Sequence, residues 1–161
     1  MAFSVQFVKP EDYPSDDTSQ VGGAIDGGTT LFSGALSELF APSTSGFVGT
    51  AAVTRYMKVW IKNDGDDISD LTVFLQNVEY PEQLSIAFAN GNDTAANVLS
   101  MPSGLSGPDF STPIGLANGI QPTSTSLTNG SSVAIWVKLT LPSGLTADSA
   151  ATAVLSVAGT V

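Results

Sequence analysis

The amino-acid sequence predicts an all-β protein. Several short segments alternate apolar and polar residues with a period of two, which is the pattern of a strand with one buried face. Turn-forming residues are plentiful, with 16 Gly and 9 Pro among 161 residues. Charged residues make up only 12%, about half the usual share of a globular protein. This length and composition fit one sheet-rich domain with an appended arm.

The predicted strands are separated by turns rich in Asp, Asn and Gly. Two such turns, at residues 64–67 and 90–93, follow strongly alternating segments. The strands cover residues 1–8, 53–63, 71–75, 84–88, 133–139 and 150–161. Short alternating strands with turns between them are typical of a sandwich, so the expected fold class of the main domain is an immunoglobulin-like β-sandwich.

The alternation also predicts which side chains form the core. Aliphatic residues occupy one face of the predicted strands: Val53, Met57, Val59, Ile61, Leu71, Val73, Leu75, Leu84, Ile86, Phe88, Val133, Ile135, Val137 and Leu139. Tyr56, Trp60 and Trp136 lie on the opposite faces. They are exposed, contact a partner, or belong to a second buried face of a central strand. Aromatic residues mostly serve packing, which favours core or subunit contact over a sugar-binding platform.

The N-terminal third of the sequence loses this pattern after its first strand. Residues 9–30 combine acids, prolines and two Gly pairs, which predicts an extended, irregular arm without a core of its own. Residues 31–40 are compatible with one or two amphipathic helical turns that end before Pro42. The expected division is an N-terminal strand and extended arm over residues 1–50, and the β-sandwich over residues 51–161.

Residues 94–126 are predicted to form long loops. Prolines recur there at intervals, at positions 102, 108, 113 and 122. Long loops in a compact domain often serve as binding surface.

The charge of the chain argues against nucleic acid as a partner. The net charge of −10 results from 15 acidic and 5 basic residues, whereas a phosphate backbone requires clusters of Lys and Arg. Three of the bases lie in one predicted strand, from Arg55 to Lys62, where a solvated strand face is expected. No segment has the roughly 18 consecutive apolar residues of a membrane span. Residues 1–8 lack the basic region and apolar length of a signal peptide.

Catalysis is not expected either. The chain contains no His and no Cys, which excludes His-activated nucleophiles, thiolate chemistry and the usual zinc sites. Glu79, Glu82, Asp93 and Asp109 are candidate acids for glycoside hydrolysis, but nothing in the sequence brings two of them together. We therefore expect no enzymatic activity, no catalytic residues and no cofactor.

Two acidic turns raise the question of calcium. Residues 63–67 and 90–93 concentrate the oxygen ligands that Ca²⁺ accepts. The EF-hand pattern fails, because no Glu follows at the required spacing and no helices flank the turns. Asp, Asn and Gly populate ordinary turns strongly, so plain acidic turns are expected and no metal site is assigned.

Three groups of segments resemble parts of structural proteins from tailed bacteriophages. They are residues 56–63; residues 22–25 with 36–40; and residues 127–130, 134–138 and 141–144. The resemblance implies an immunoglobulin-like virion protein, first of all a capsid decoration (cement) protein that binds and stabilises the assembled major capsid protein shell. It also implies a homotrimer on the capsid surface that is made in the host cytoplasm. The alternative is a tail- or fibre-associated module that recognises a carbohydrate or a host surface.

The arm supplies most of the expected partner-binding residues. Its large apolar side chains are Leu31, Phe32, Leu36, Leu39 and Phe40, and they would be costly to leave in water. They either anchor the arm to the shell or pack on the sandwich of their own chain. Trp60 and Trp136 join this set if their strand faces point outward.

Overall fold

A computed structural model describes residues 2–27, 31–32, 52–143 and 153–161, and this part of the chain is all-β, as expected. Its only helical segments are two short 3-10 turns, Gly107–Asp109 and Leu116–Asn118. The strands are β1 (Val5–Val8), β2 (Pro10–Asp12), β3 (Val21–Ile25), β4 (Val53–Asn63), β5 (Ser69–Gln76), β6 (Leu84–Phe88), β7 (Thr94–Ala95), β8 (Ser132–Leu141) and β9 (Val154–Thr160).

A four-stranded antiparallel sheet with the order β1-β4-β8-β6 forms the centre of the fold. Its two longest strands, β4 and β8, pair from Val53 opposite Leu141 to Lys62 opposite Ser132. Both are rich in β-branched and aromatic residues, which pack well on a pleated surface. Because β4 and β8 are flanked by further strands, only their two faces remain to be covered.

One face of the central sheet packs against the two-stranded sheet β5–β9. Met57 and Val59 of β4 and Ile135 of β8 share a buried cluster with Val73 and Leu75 of β5. This is the core that the alternation predicted. Most of the predicted residues are buried, and four are only partly buried: Val53, Phe88, Val133 and Leu139. Burying one such aliphatic side chain contributes about 1.5–3 kcal/mol.

The other face of the central sheet is covered partly by the small sheet β2–β3–β7, where the carbonyl oxygen of Gly23 accepts a hydrogen bond from Lys58. Phe110 of the long loop contacts Tyr56 on the same face. Trp60 packs there against Val8 and Ala134, and Tyr56 and Trp136 belong to the main buried cluster. Of the three readings that the sequence left open for these aromatic residues, the second buried face is the one that the structure shows.

The first strand and the first part of the predicted arm form β-strands that belong to the sheets of the domain. β1 pairs along its length with the end of β4, and β3 pairs with both β2 and β7. Val8 and Val21 are completely buried. The prediction of an irregular segment after residue 9 is therefore wrong for β2 and β3. Gly22 and Gly23 read as chain breakers in the sequence, but in the structure they belong to a strand that lies close to the central sheet.

The long segment between β7 and β8 is mostly irregular, as predicted, and lies along the side of the body. Ser111 bridges to β6, and Ile114 and Ile120 bridge to β5. The segment thereby links the edges of two sheets. Its path fixes the position of the loop residues that face outward.

Candidate functional site

A buried lysine lies on the covered second face. Lys58 of β4 is directly opposite Trp136 of β8, and both side chains are 0% exposed. Asp93 ends the turn between β6 and β7, and its side chain contacts both Lys58 and Trp136. We refer to Lys58, Asp93 and Trp136 as the lysine cluster.

The amino group of Lys58 has four oxygen neighbours. Its Nζ lies 2.8 Å from Oδ1 of Asp93. It also donates to the carbonyl oxygens of Gly23, Gly91 and Asp93 at 2.9, 2.7 and 3.0 Å. Without such partners, burial of a charged lysine would cost several kcal/mol. One side chain of the central sheet thus holds strand β3 and the β6–β7 turn in place.

The carboxyl group of Asp93 is enclosed in the same way, with its side chain only 5% exposed. Oδ1 accepts a hydrogen bond from the indole Nε1 of Trp136 at 3.0 Å. Oδ2 accepts one from the backbone N–H of Asn90, also at 3.0 Å. Gly91 completes the turn with a φ of 58°, a conformation that favours glycine. The turn that the sequence indicated is therefore the device that positions this carboxyl group.

The surroundings of Lys58 act on its charge in opposite directions. Desolvation lowers the pKa of Lys58, and the hydrogen bond and negative charge of Asp93 oppose this change. The indole rings of Trp60 and Trp136 lie with their centroids 5.0 and 5.8 Å from Nζ, within reach of a cation–π attraction. The result is an enclosed site in which an amino group and a carboxyl group are in contact.

The small sheet β2–β3–β7, which we call the covering layer, approaches the central sheet so closely that residue 22 has to be glycine. Gly22 has a φ of 117°, and a Cβ at this position would lie 2.7 Å from the carbonyl oxygen of Asp93. The same Cβ would lie 3.0 Å from Cη2 of Trp136. Strand β3 therefore closes this site with bare backbone.

Sequence analysis missed the lysine cluster. Arg55 and Lys58 are both buried, so the prediction of a solvated basic strand face is wrong for these two residues. Arg55 forms two hydrogen bonds with the carboxylate of Asp17, at 2.7 and 2.9 Å. One signal was available for Lys58, because it shares its strand face with Tyr56 and Trp60, and aromatic neighbours on both sides are unusual on a solvated strand.

The tryptophans expected to bind a partner lie inside the chain. Trp136 is fully buried and Trp60 is 7% exposed. Their predicted role as an outward-facing surface is therefore wrong in this structure. The same burial argues against a sugar-binding platform built from these two rings.

The apolar residues expected in the arm are described only in part. Leu31 is exposed and its backbone bridges to Val8 of β1. Phe32 is partly buried, packs against the main core cluster and contacts Tyr13, with ring centroids 6.1 Å apart. The three other residues lie outside the described part of the chain: Leu36, Leu39 and Phe40.

The acidic turn at residues 63–67 uses its carboxylates to join neighbouring segments. Asp64, Asp66 and Asp67 each accept a hydrogen bond from a different part of the chain, at 3.3, 2.7 and 2.8 Å. Among the residues that the structure describes, no group of three or more His, Cys, Asp or Glu could hold a metal ion. Through these hydrogen bonds the turn holds the N-terminal segment and Asn129 in place.

Several large apolar side chains remain exposed on the loops. Ile114 and Leu116, the latter 55% exposed, lie on the segment that bridges to β5. Backbone hydrogen bonds of 2.8 and 3.0 Å tie the residues on either side of Ile114 to Leu75. Leu99 and Met101 are exposed on the preceding loop. We call Ile114 and Leu116 the loop ridge, since they present apolar surface on a fixed backbone.

No protein-family model, curated protein or solved structure matches this chain. In the described ranges, no helix has the length and apolar character that crossing a membrane requires. What the chain does must therefore follow from its own residues, and the lysine cluster and the loop ridge are the two features that call for an explanation.

Proposed function

We propose that this chain is a structural protein of a tailed-bacteriophage virion, namely a capsid decoration protein with an immunoglobulin-like sandwich fold. It binds and stabilises the major capsid protein shell as a homotrimer and has no enzymatic activity. The observation that carries the proposal is the loop ridge. An apolar surface whose backbone is already fixed loses little conformational entropy when it binds a protein surface.

The segments that resemble phage structural proteins support the proposal through their positions. Residues 56–63 belong to β4 and residues 134–138 to β8, the two central strands. Packing of the central sheet on β5–β9 agrees with a sandwich to which a small covering sheet has been added. On this interpretation, the resemblance to phage proteins lies in the central strands, and the loops provide the contact with the capsid shell.

The buried polar side chains also support a structural role. Arg55 and Lys58 are paired with carboxylates, and Asn63 donates to the carbonyl oxygens of Asp66 and Leu127 at 2.8 Å. These groups are engaged in holding the fold together. A protein that binds a lattice through its surface has to keep its fold, and these buried ion pairs and hydrogen bonds stabilise that fold.

Rebinding to stripped particles tests the proposal. Recombinant wild-type protein should bind shells from which the native protein has been removed, up to a fixed number of copies. The double variant Ile114→Ser/Leu116→Ser should bind about tenfold or more weakly, a loss of about 1.4 kcal/mol or more. Val154→Ser is the matched control, because Val154 is similarly exposed but lies on β9, and its binding should not change.

Light scattering on the free protein and microscopy of the particle complete this test. A homotrimer on symmetry-related sites of the shell is the expected result. Binding of the ridge variant with wild-type affinity would exclude the loop ridge as the contact. Localisation of the chain to the tail or the fibres, with binding to host glycans, would overturn the capsid assignment in favour of the tail module.

A further inference from the structure

We propose that Lys58 and Asp93 become joined by a side-chain amide (isopeptide) bond that forms within the folded chain. This inference goes beyond the function proposed above and does not depend on it. Nζ of Lys58 already lies 2.8 Å from Oδ1 of Asp93. The carboxyl carbon Cγ is bonded to that oxygen, so the amine and the carbon it would attack are held side by side, as proximity catalysis requires.

The enclosed site also favours the reactive form of the amine. An ammonium ion cannot attack, because its lone pair carries a proton. Attack therefore requires Lys58 first to give up one proton, and Oδ1 of Asp93, 2.8 Å from Nζ, is placed to accept it. Desolvation acts in the same direction on the pKa of Lys58. The neutral amine keeps two N–H donors for the surrounding carbonyl oxygens, and its lone pair is then available to attack the carboxyl carbon.

Two donors are in place for the tetrahedral intermediate. The indole N–H of Trp136 reaches Oδ1 of Asp93, and the backbone N–H of Asn90 reaches Oδ2, both at 3.0 Å. Whichever oxygen carries the negative charge after attack therefore has a hydrogen-bond donor that requires no rearrangement. Fixed donors aimed at a developing oxyanion are an effective source of rate acceleration.

The reaction balances without any further reactant. Nζ of Lys58 forms a bond to Cγ of Asp93, and the bond from Cγ to one carboxyl oxygen breaks. That oxygen leaves as water with two of the three ammonium protons, and the third proton stays on the amide nitrogen. Because Lys58 is fully buried and the side chain of Asp93 is only 5% exposed, little solvent reaches the amide, which protects it from hydrolysis.

The bond would have a clear structural effect. It would join the middle of β4 to the end of the β6–β7 turn, positions 35 residues apart in the sequence. A covalent link of this kind restricts the unfolded chain as a disulfide does, in a sequence that contains no Cys. The covering layer would then be attached to the central sheet by a bond as well as by packing.

Mass spectrometry of the intact folded chain tests this inference directly. The protein should be lighter than its sequence by the mass of one water molecule. Trypsin should fail to cleave after Lys58, because the side chain is acylated, and should release a branched peptide that contains Lys58 and Asp93. Chain that is kept in denaturant and has never folded should have the full mass. It should lose water only after it has been allowed to fold.

Two variants and one check on the site of water loss complete the test. Asp93→Asn should lose the mass of ammonia instead of water, because the same attack then displaces the amide nitrogen. Lys58→Arg has no primary amine and should keep the full mass. Succinimide formation at Asp64-Gly65 would also release water, but it would leave Lys58 cleavable by trypsin. Full mass in the folded wild type, or water loss at another site, would overturn the inference and leave a buried ion pair.

Discussion

Replacing Val21 by Ala tests whether the N-terminal strands belong to the packed body. Val21 is completely buried in the main core cluster and pairs with Ala95 of β7. The substitution removes two buried carbons at about 0.8 kcal/mol each. The cavity left behind adds up to about 1 kcal/mol, at about 24 cal/mol per Å³. We therefore expect the free energy of unfolding to fall by about 2–3 kcal/mol.

Urea denaturation measures this loss. With a denaturant dependence of about 1–3 kcal/mol per molar urea, the midpoint should fall by about 1 M or more at an unchanged slope. Val154→Ala is the matched control, because Val154 is 44% exposed on β9, and its effect should stay within about 0.5 kcal/mol. In the wild type, the amide of Gly23, which donates to the carbonyl oxygen of Asp93 at 3.0 Å, should exchange slowly.

A different result would support the prediction of an extended N-terminal arm. If Val21→Ala costs no more than Val154→Ala and the Gly23 amide exchanges quickly, strand β3 is detached from the body in solution. The covering layer would then be removable, and Trp60 and Trp136 would again be available to a partner.

Three further substitutions test other parts of the fold. Gly22→Ala should cost about 2 kcal/mol or more in a thermal melt, because it combines a left-handed φ with a backbone clash; an unchanged melting temperature would contradict the close approach of β3. Asp17→Asn should cost about 3–5 kcal/mol in urea, because Arg55 is buried beside that carboxylate, and a loss near zero would mean that solvent reaches the guanidinium. Hydrogen bonds from the hydroxyl and the backbone N–H of Ser106 hold the pKa of Asp109 below its ordinary 3.8. The stabilisation by Asp109 should therefore be present above pH 3.8 and disappear as the pH falls through the lower folded-state pKa. Asp109→Asn should accordingly show a shallower acid-induced loss of stability than the wild type, and identical acid profiles would refute that role.

The all-β class, most of the strands and the aliphatic face of the central sheet could be predicted from local patterns in the sequence. Met57, Val59 and Ile135 could be assigned to the core because side chains in a strand alternate between its faces, whatever the strand later packs against. The loop character of residues 94–126 could be predicted for a similar reason, since the constraints that proline imposes are local.

What covers the second face, and hence where the lysine cluster lies, depends on contacts between distant parts of the chain. Alternation places Lys58 and Trp136 on the face opposite the aliphatic core, but it does not tell whether water or protein lies beyond them. That depends on Gly23 and Asp93, each 35 residues from Lys58 in the sequence. A charged side chain can be buried only where several oxygen acceptors converge on it. Such convergence is a property of the folded chain, because the acceptors come from β3 and from the β6–β7 turn. These two segments meet only when the small sheet β2–β3–β7 packs over the central sheet.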